Sequence, residues 1–163
     1  MVALKNILVA TDFSEPSGVA LAYGRDLART YSARLHVLHV VQDVTVAYAP
    51  EVGLVGPNVQ QDLEAIATRD LHALITDDDR RTIDVVPAID RGLNMAEVIT
   101  KYALEHDIDL IVTGTHGRGV VKHFLMGSVA ERVVRTAPCP VLTVRAHERD
   151  FIAPDAMVAA ARA

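Results

Sequence analysis

The chain has 163 residues, half of them hydrophobic and 23% charged, and folding a single domain of this size removes roughly 68–70% of the unfolded chain's surface from water. Its one cysteine, Cys139, excludes an intramolecular disulfide framework and a cysteine cluster for zinc. Sixteen Lys and Arg against twenty-one Asp and Glu give a net charge of −5, and with 4% aromatic residues and no tryptophan the chain suits neither a polyanion nor stacked bases, so nucleic acid is excluded as an expected partner.

Residues 4–10 form an apolar run broken by Lys5 and Asn6, which reads as a strand buried on both faces of a parallel sheet. Ser14 or Ser17 is the expected cap of the next helix, with Pro16 in its first turn and Val19, Ala20, Tyr23, Leu27, Ala28 and Tyr31 at helical spacing. A second strand is predicted over 35–41, followed by an irregular stretch over 42–57. Leu63, Ile66, Ala67, Leu71 and Leu74 mark the second helix, and the run Asp77-Asp78-Asp79-Arg80-Arg81 after it reads as a solvated turn. Further elements are predicted as a strand over 83–89, a helix over 94–106, a strand over 110–113, a helix over 128–136 and a fifth strand over 141–144. Strands alternating with helices at this spacing specify an α/β domain, an open parallel sheet with helices on both faces. Residues 1–146 form the domain, and 147–163 a tail with a short helix. The start lacks a basic leader and no run approaches a membrane span, so a cytoplasmic protein without a membrane partner is expected.

Open α/β sheets bind ligands at the carboxyl ends of their strands, where strand order reverses. The loop after the fourth strand reads Gly114-Thr115-His116-Gly117-Arg118-Gly119, and Gly127-Ser128 follows at the start of a helix. Glycines let backbone amides approach an anion, and a helix N-terminus supplies unpaired N–H groups. Ser128-Val129-Ala130-Glu131 is also a capping box that would satisfy that helix's own amides, and both readings stand at this point. The spacing is neither the dinucleotide fingerprint nor a lysine-bearing P-loop.

The full pattern is Gly114, two residues, Gly117, nine residues, then Gly127-Ser128. With Ile7-Leu8-Val9-Ala10-Thr11-Asp12-Phe13-Ser14, Leu38-His39-Val40 and Pro140-Val141-Leu142, it strongly resembles the ATP-binding branch of the universal stress protein family. The resemblance implies a Rossmann-like five-stranded sheet ordered 3-2-1-4-5 and an adenine-nucleotide site. Asp12, preceded by Ala10 and Thr11, and the Val40 backbone would hold adenosine. Gly114 and Gly117 would line ribose and phosphate, and Gly127, Ser128 and Val129 would bind phosphates. Thr115 stands where the family pattern has serine and keeps its hydroxyl.

His116 faces nucleotide or solvent, and Arg118 and Lys122 are candidates to neutralise phosphate charge. ATP, with Mg or Mn on its phosphates, is the implied cofactor, and pairing of Val141 to Val144 with a second chain is the implied route to a homodimer. No catalytic residue and no protein-held metal are expected: His36 and His39, three apart on a strand, point to opposite faces. The expected function is a nucleotide-responsive stress or regulatory module, the alternative an ATP-using enzyme, a slow ATPase or substrate-activating, on the same fold. A phospho-accepting receiver built on Asp12 and Asp90 is disfavoured, because in the implied strand order the third strand lies at the far edge from Asp12 and the fifth strand carries no lysine; Asp90-Arg91-Gly92 reads as a turn before the third helix. Cys139, between two prolines, reads as a packing residue.

Overall fold

The computed structural model describes residues 3–47, 58–115 and 127–145. Five strands, β1 (Asn6–Ala10), β2 (Arg34–Gln42), β3 (Val85–Gly92), β4 (Leu110–Gly114) and β5 (Val141–Val144), form one parallel sheet in the order β3-β2-β1-β4-β5. Both faces are covered, which is why β1 lacks polar alternation. Ile7 and Val9 pack on one side with Leu21 and Ala28 of helix α1 (Glu15–Tyr31) and Leu71 of α3 (Val59–Leu74). Leu8 faces the other side, against Ile99 and Ala103 of α5 (Met95–Glu105) and Val133 of α6 (Ser128–Thr136).

The chain runs outward from β1 through β2 to β3, then returns to the opposite side of β1 for β4. The order therefore reverses between β1 and β4, and the carboxyl ends of these strands open a crevice there. Gly114, at the end of β4, lets α1 approach: a Cβ built on it would lie 2.9 Å from the Pro16 carbonyl carbon.

Several local expectations are corrected. Tyr23 and Tyr31 of α1 are 44% and 48% exposed, because the buried face centres on Ser17, Ala20, Leu21, Gly24 and Ala28. Leu63 and Ile66 of α3 are likewise exposed, and Gln60, Ala67 and Leu71 face inward. Residues 42–57 are not wholly irregular: a one-turn helix, α2 (Val44–Ala47), opens them.

The acidic-basic run is no solvated turn but a short helix, α4 (Asp77–Thr82), with a capping box between Thr76 and Asp79. Asp79 is only 2% exposed, and Arg25 of α1 holds its Oδ2 at 2.7 Å. The third strand begins at Val85 and runs through Asp90, Arg91 and Gly92, so these residues complete β3 rather than form a turn. The tail over 147–163 lies outside the described residues.

Candidate functional site

β1 delivers its last residues into the crevice in a tightly bonded turn. The Thr11 amide donates to the Leu38 carbonyl at 2.9 Å. Ser17 donates its hydroxyl to the Ser14 carbonyl at 2.9 Å, which leaves Thr11 as the donor in the 3.1 Å contact between the Thr11 and Ser17 hydroxyls. Asp12 Oδ1 accepts from both the amide and the hydroxyl of Ser14. Its carboxylate is thereby fixed at the mouth of the crevice. Ser14 is the N-cap residue of α1 yet makes no side-chain cap; its hydroxyl turns to Asp12 and donates to it.

Phe13, between them, has φ of 63°, a left-handed conformation that a bulky residue adopts only under constraint. The constraint is visible. Its amide donates to Thr11 Oγ1, and its ring lies 4.4 Å from that of His39. His39 donates its Nδ1 proton to the Thr11 carbonyl at 2.8 Å, since a carbonyl oxygen only accepts.

The other wall is built by β4 and α6. Thr115 donates its amide to the Val144 carbonyl at 2.8 Å, and its own carbonyl accepts from the Gly127 amide at 2.5 Å. The backbone N–H and C=O of Thr115 thus tie the start of α6 to the sheet. Gly127 is the N-cap residue and no side chain caps the helix. The capping box expected at Ser128 does not form, because Ser128 is already the first helical residue. The first intrahelical bond belongs to the Glu131 amide, which donates to the Gly127 carbonyl at 3.0 Å. The amides of Ser128, Val129 and Ala130 therefore have no carbonyl within the helix to reach, and the Ser128 hydroxyl makes no cap.

These walls enclose a cavity of about 340 Å³. Ala10, Thr11 and Asp12 line it from β1, Val40 from β2, Gly114 and Thr115 from β4, and Gly127, Ser128 and Val129 from α6. His116, Gly117 and Arg118, like Lys122, lie outside the described residues.

Sequence reasoning missed further lining residues. Leu38 and His39 immediately precede Val40, and Ser17 follows the β1 turn. Met95 and Ile99 sit on the first turns of α5, whose N-terminus rises at the same edge of the sheet. The signal for these two was the βα connection itself, since every helix that follows a strand starts at the carboxyl edge.

His36 and His39 do diverge. His36 is buried on the α5 side, where its Nδ1 lies 2.9 Å from the Tyr102 hydroxyl, while His39 turns to Phe13. Burial first, then the positive potential of His106 and Arg34, lowers the His36 pKa to about 4, with Asp84 opposing. Asp90 pairs in register with Val40 on the edge strand, two strands away from Asp12, so the two carboxylates do not share a site. Burial pushes the Cys139 thiol up, which suits a packing residue. Among the described residues no cluster of His, Cys, Asp and Glu is placed to hold a metal, and no helix is long and apolar enough to cross a membrane.

Comparison with known proteins agrees with this architecture. The family model described as the universal stress protein family matches residues 3–145. A universal stress protein of Thermus aquaticus is 35% identical over 144 residues, covering 86% of this chain and 98% of that one. The solved structure of universal stress protein UspA from Lactobacillus plantarum is 28% identical with a TM-score of 0.73, covering 89% of this chain and all of the other. A universal stress protein from Archaeoglobus fulgidus, solved in complex with dAMP, shares the fold at 19% identity and a TM-score of 0.60, covering 88% of this chain and 99% of that one.

Proposed function

Because the chain belongs to the universal stress protein family, we propose that it binds ATP in the crevice between β1 and β4 and acts as a nucleotide-responsive regulatory module. The observation that carries this reading is the start of α6. Three consecutive amides and the Ser128 hydroxyl, none of them used by the helix itself, line a cavity at the strand-order reversal.

An anion is the group that satisfies such donors, and backbone amides supply it without a net positive charge on the protein. The rest of the cavity is apolar where a base would lie, at Leu38, Val40, Met95 and Ile99, and polar at Thr11, Asp12 and Thr115. That division suits a molecule with a flat aromatic end and a charged end. In the Archaeoglobus protein of the same fold the bound molecule is dAMP, an adenine nucleotide.

A divalent ion, magnesium or manganese, neutralises phosphate charge when ATP is bound, and Asp12 is the carboxylate on the cavity wall suited to approach it. The cytoplasm is the compartment in which this ligand is abundant. Two copies pair through the outer edge of β5 in the same reading.

The test is to denature freshly purified protein and identify the released small molecules by chromatography and mass. ATP in near-stoichiometric amount is the expected result. An empty site, together with no heat of ATP binding by calorimetry, would overturn the proposal.

A further inference from the structure

A second groove leaves the nucleotide cavity on the far side of the α6 N-terminus. It has a volume of about 670 Å³ and runs between α5 and α6, from Ser128 along to Thr136. Met95, Ser128 and Val129 line both spaces, so the two are continuous. The eight rises from Ser128 to Thr136 make this groove about 12 Å long.

Its walls differ from those of the first cavity. Leu93, 55% exposed, and Val129, 38% exposed, give it an apolar rim beside Met95. Its charged groups are Glu131, Arg132 and Arg135. Arg135 and Glu131 are paired at 2.9 Å and cancel. Arg132 sits one turn beyond Ser128 on the same helical face, and among the described residues its guanidinium makes no ion pair or side-chain hydrogen bond. An exposed cation with no partner among the described residues thus lies one helical turn past the amides proposed to hold the phosphates.

From this juxtaposition we propose that the site takes adenine nucleotides whose phosphate chain continues past Ser128 into the α5–α6 groove, with Arg132 binding the additional phosphate. This rests on the ATP reading, and it narrows the ligand class to nucleotides with four or more phosphates, bare or esterified by a second nucleoside. Guanidinium and phosphate match as a two-pronged hydrogen-bonded pair, and the apolar rim at Leu93 and Val129 offers a surface for a second base.

Calorimetric titration of the full chain with ATP, adenosine 5′-tetraphosphate and diadenosine tetraphosphate tests it. The tetraphosphates bind roughly tenfold more tightly than ATP, and Arg132→Ala removes most of that ratio. Arg69→Ala, which deletes the same charge from the exposed Arg69–Asp70 pair on α3, leaves the ratio as it was. A gain confined to diadenosine tetraphosphate assigns the groove to a second nucleoside, and a gain shared by both ligands assigns it to the phosphate alone. Equal affinity for all three ligands, or a ratio that Arg69→Ala lowers as much as Arg132→Ala, overturns the inference while leaving ATP binding intact. Binding of the tetraphosphates without ATP would overturn the ATP reading and keep the groove. No binding of any of them would end both.

Discussion

The carbonyl of Thr115 and the amide of Gly127 are joined by one hydrogen bond, and the amide of the same Thr115 is held by Val144. The two ends of the glycine-rich segment are thus anchored to the sheet whatever lies between them. The start of α6 is positioned before any ligand arrives, which spares binding the cost of ordering it. This anchoring gives Ser128 a definite role. As first helical residue it does not cap α6, so Ser128→Ala costs little stability, within about 0.5 kcal/mol by urea denaturation. ATP affinity falls roughly tenfold or more through loss of one hydrogen bond to a charged phosphate. A stability loss near 1 kcal/mol with unchanged affinity would instead show the serine to be a cap.

Gly114 is required by packing. The Cβ of an alanine there would press on the Pro16 backbone at 2.9 Å, a contact that backbone atoms relieve only by shifting α1. Gly114→Ala is expected to destabilise the fold by roughly 1–3 kcal/mol. Because α1 starts just after Asp12, the same shift moves that carboxylate and weakens nucleotide binding. Urea denaturation and calorimetry on one preparation check both effects.

Asp79 shows the energetics of a buried charge. Burial pushes its carboxyl upward, and the Thr76 amide and the Arg25 guanidinium outweigh that effect and hold it below its ordinary value of 3.8. Arg25→Ala leaves Asp79 only the longer 3.4 Å contact with Arg29 and is predicted to cost roughly 1–3 kcal/mol, under a fully buried pair because Arg29 remains and the Arg25 side chain is 21% exposed. A double-mutant cycle with Asp79→Asn returns most of that loss as coupling.

His36 sets the response to acid. Its folded pKa of about 4 lies below the ordinary 6.5, so between those values the unfolded chain binds a proton that the folded chain refuses. Stability is complete above pH 6.5 and falls as pH drops toward 4, by on the order of 3 kcal/mol. The loss from Asp79 comes later, below 3.8, as that carboxylate is protonated. His36→Gln lowers stability at neutral pH, because it disturbs the contact with Tyr102, yet flattens the slope between pH 6.5 and 4. Chemical denaturation across that range measures both.

The strands were legible because a sheet covered on both faces needs unbroken apolar runs, and the reversal between β1 and β4 followed once the family pattern set their order. The choice of buried face on α1 was not, since Tyr23 and Tyr31 fit a helical period equally well and only the packing on Val9 and Leu35 at Gly24 selects the other side. Asp79 looked like one charge among five. The partners that let it be buried, Arg25 and at longer range Arg29, are far away in sequence and leave no local trace. At the site, the sequence leaves the cap and phosphate readings of Ser128 both open, because a glycine and a serine in succession both suit an N-cap and the Thr115–Gly127 bond decides between them.

The backbone of β5 makes the dimer testable at one atom. The amides of Ile111 and Thr115 donate to the Pro140 and Val144 carbonyls, so even-numbered residues of β5 turn their backbone groups toward β4. Val141 and Thr143 turn theirs to the outer edge, where no strand among the described residues meets them. If two copies pair there, the Thr143 amide is a cross-chain donor. Thr143→Pro removes that donor and leaves the β4–β5 ladder its own bonds, since proline is tolerated where an edge N–H faces outward. Sedimentation should then show the wild-type dimer become a monomer at micromolar concentration, with circular dichroism and nucleotide affinity retained. A wild-type monomer, or a dimer indifferent to Thr143→Pro, would place the contact elsewhere or remove it.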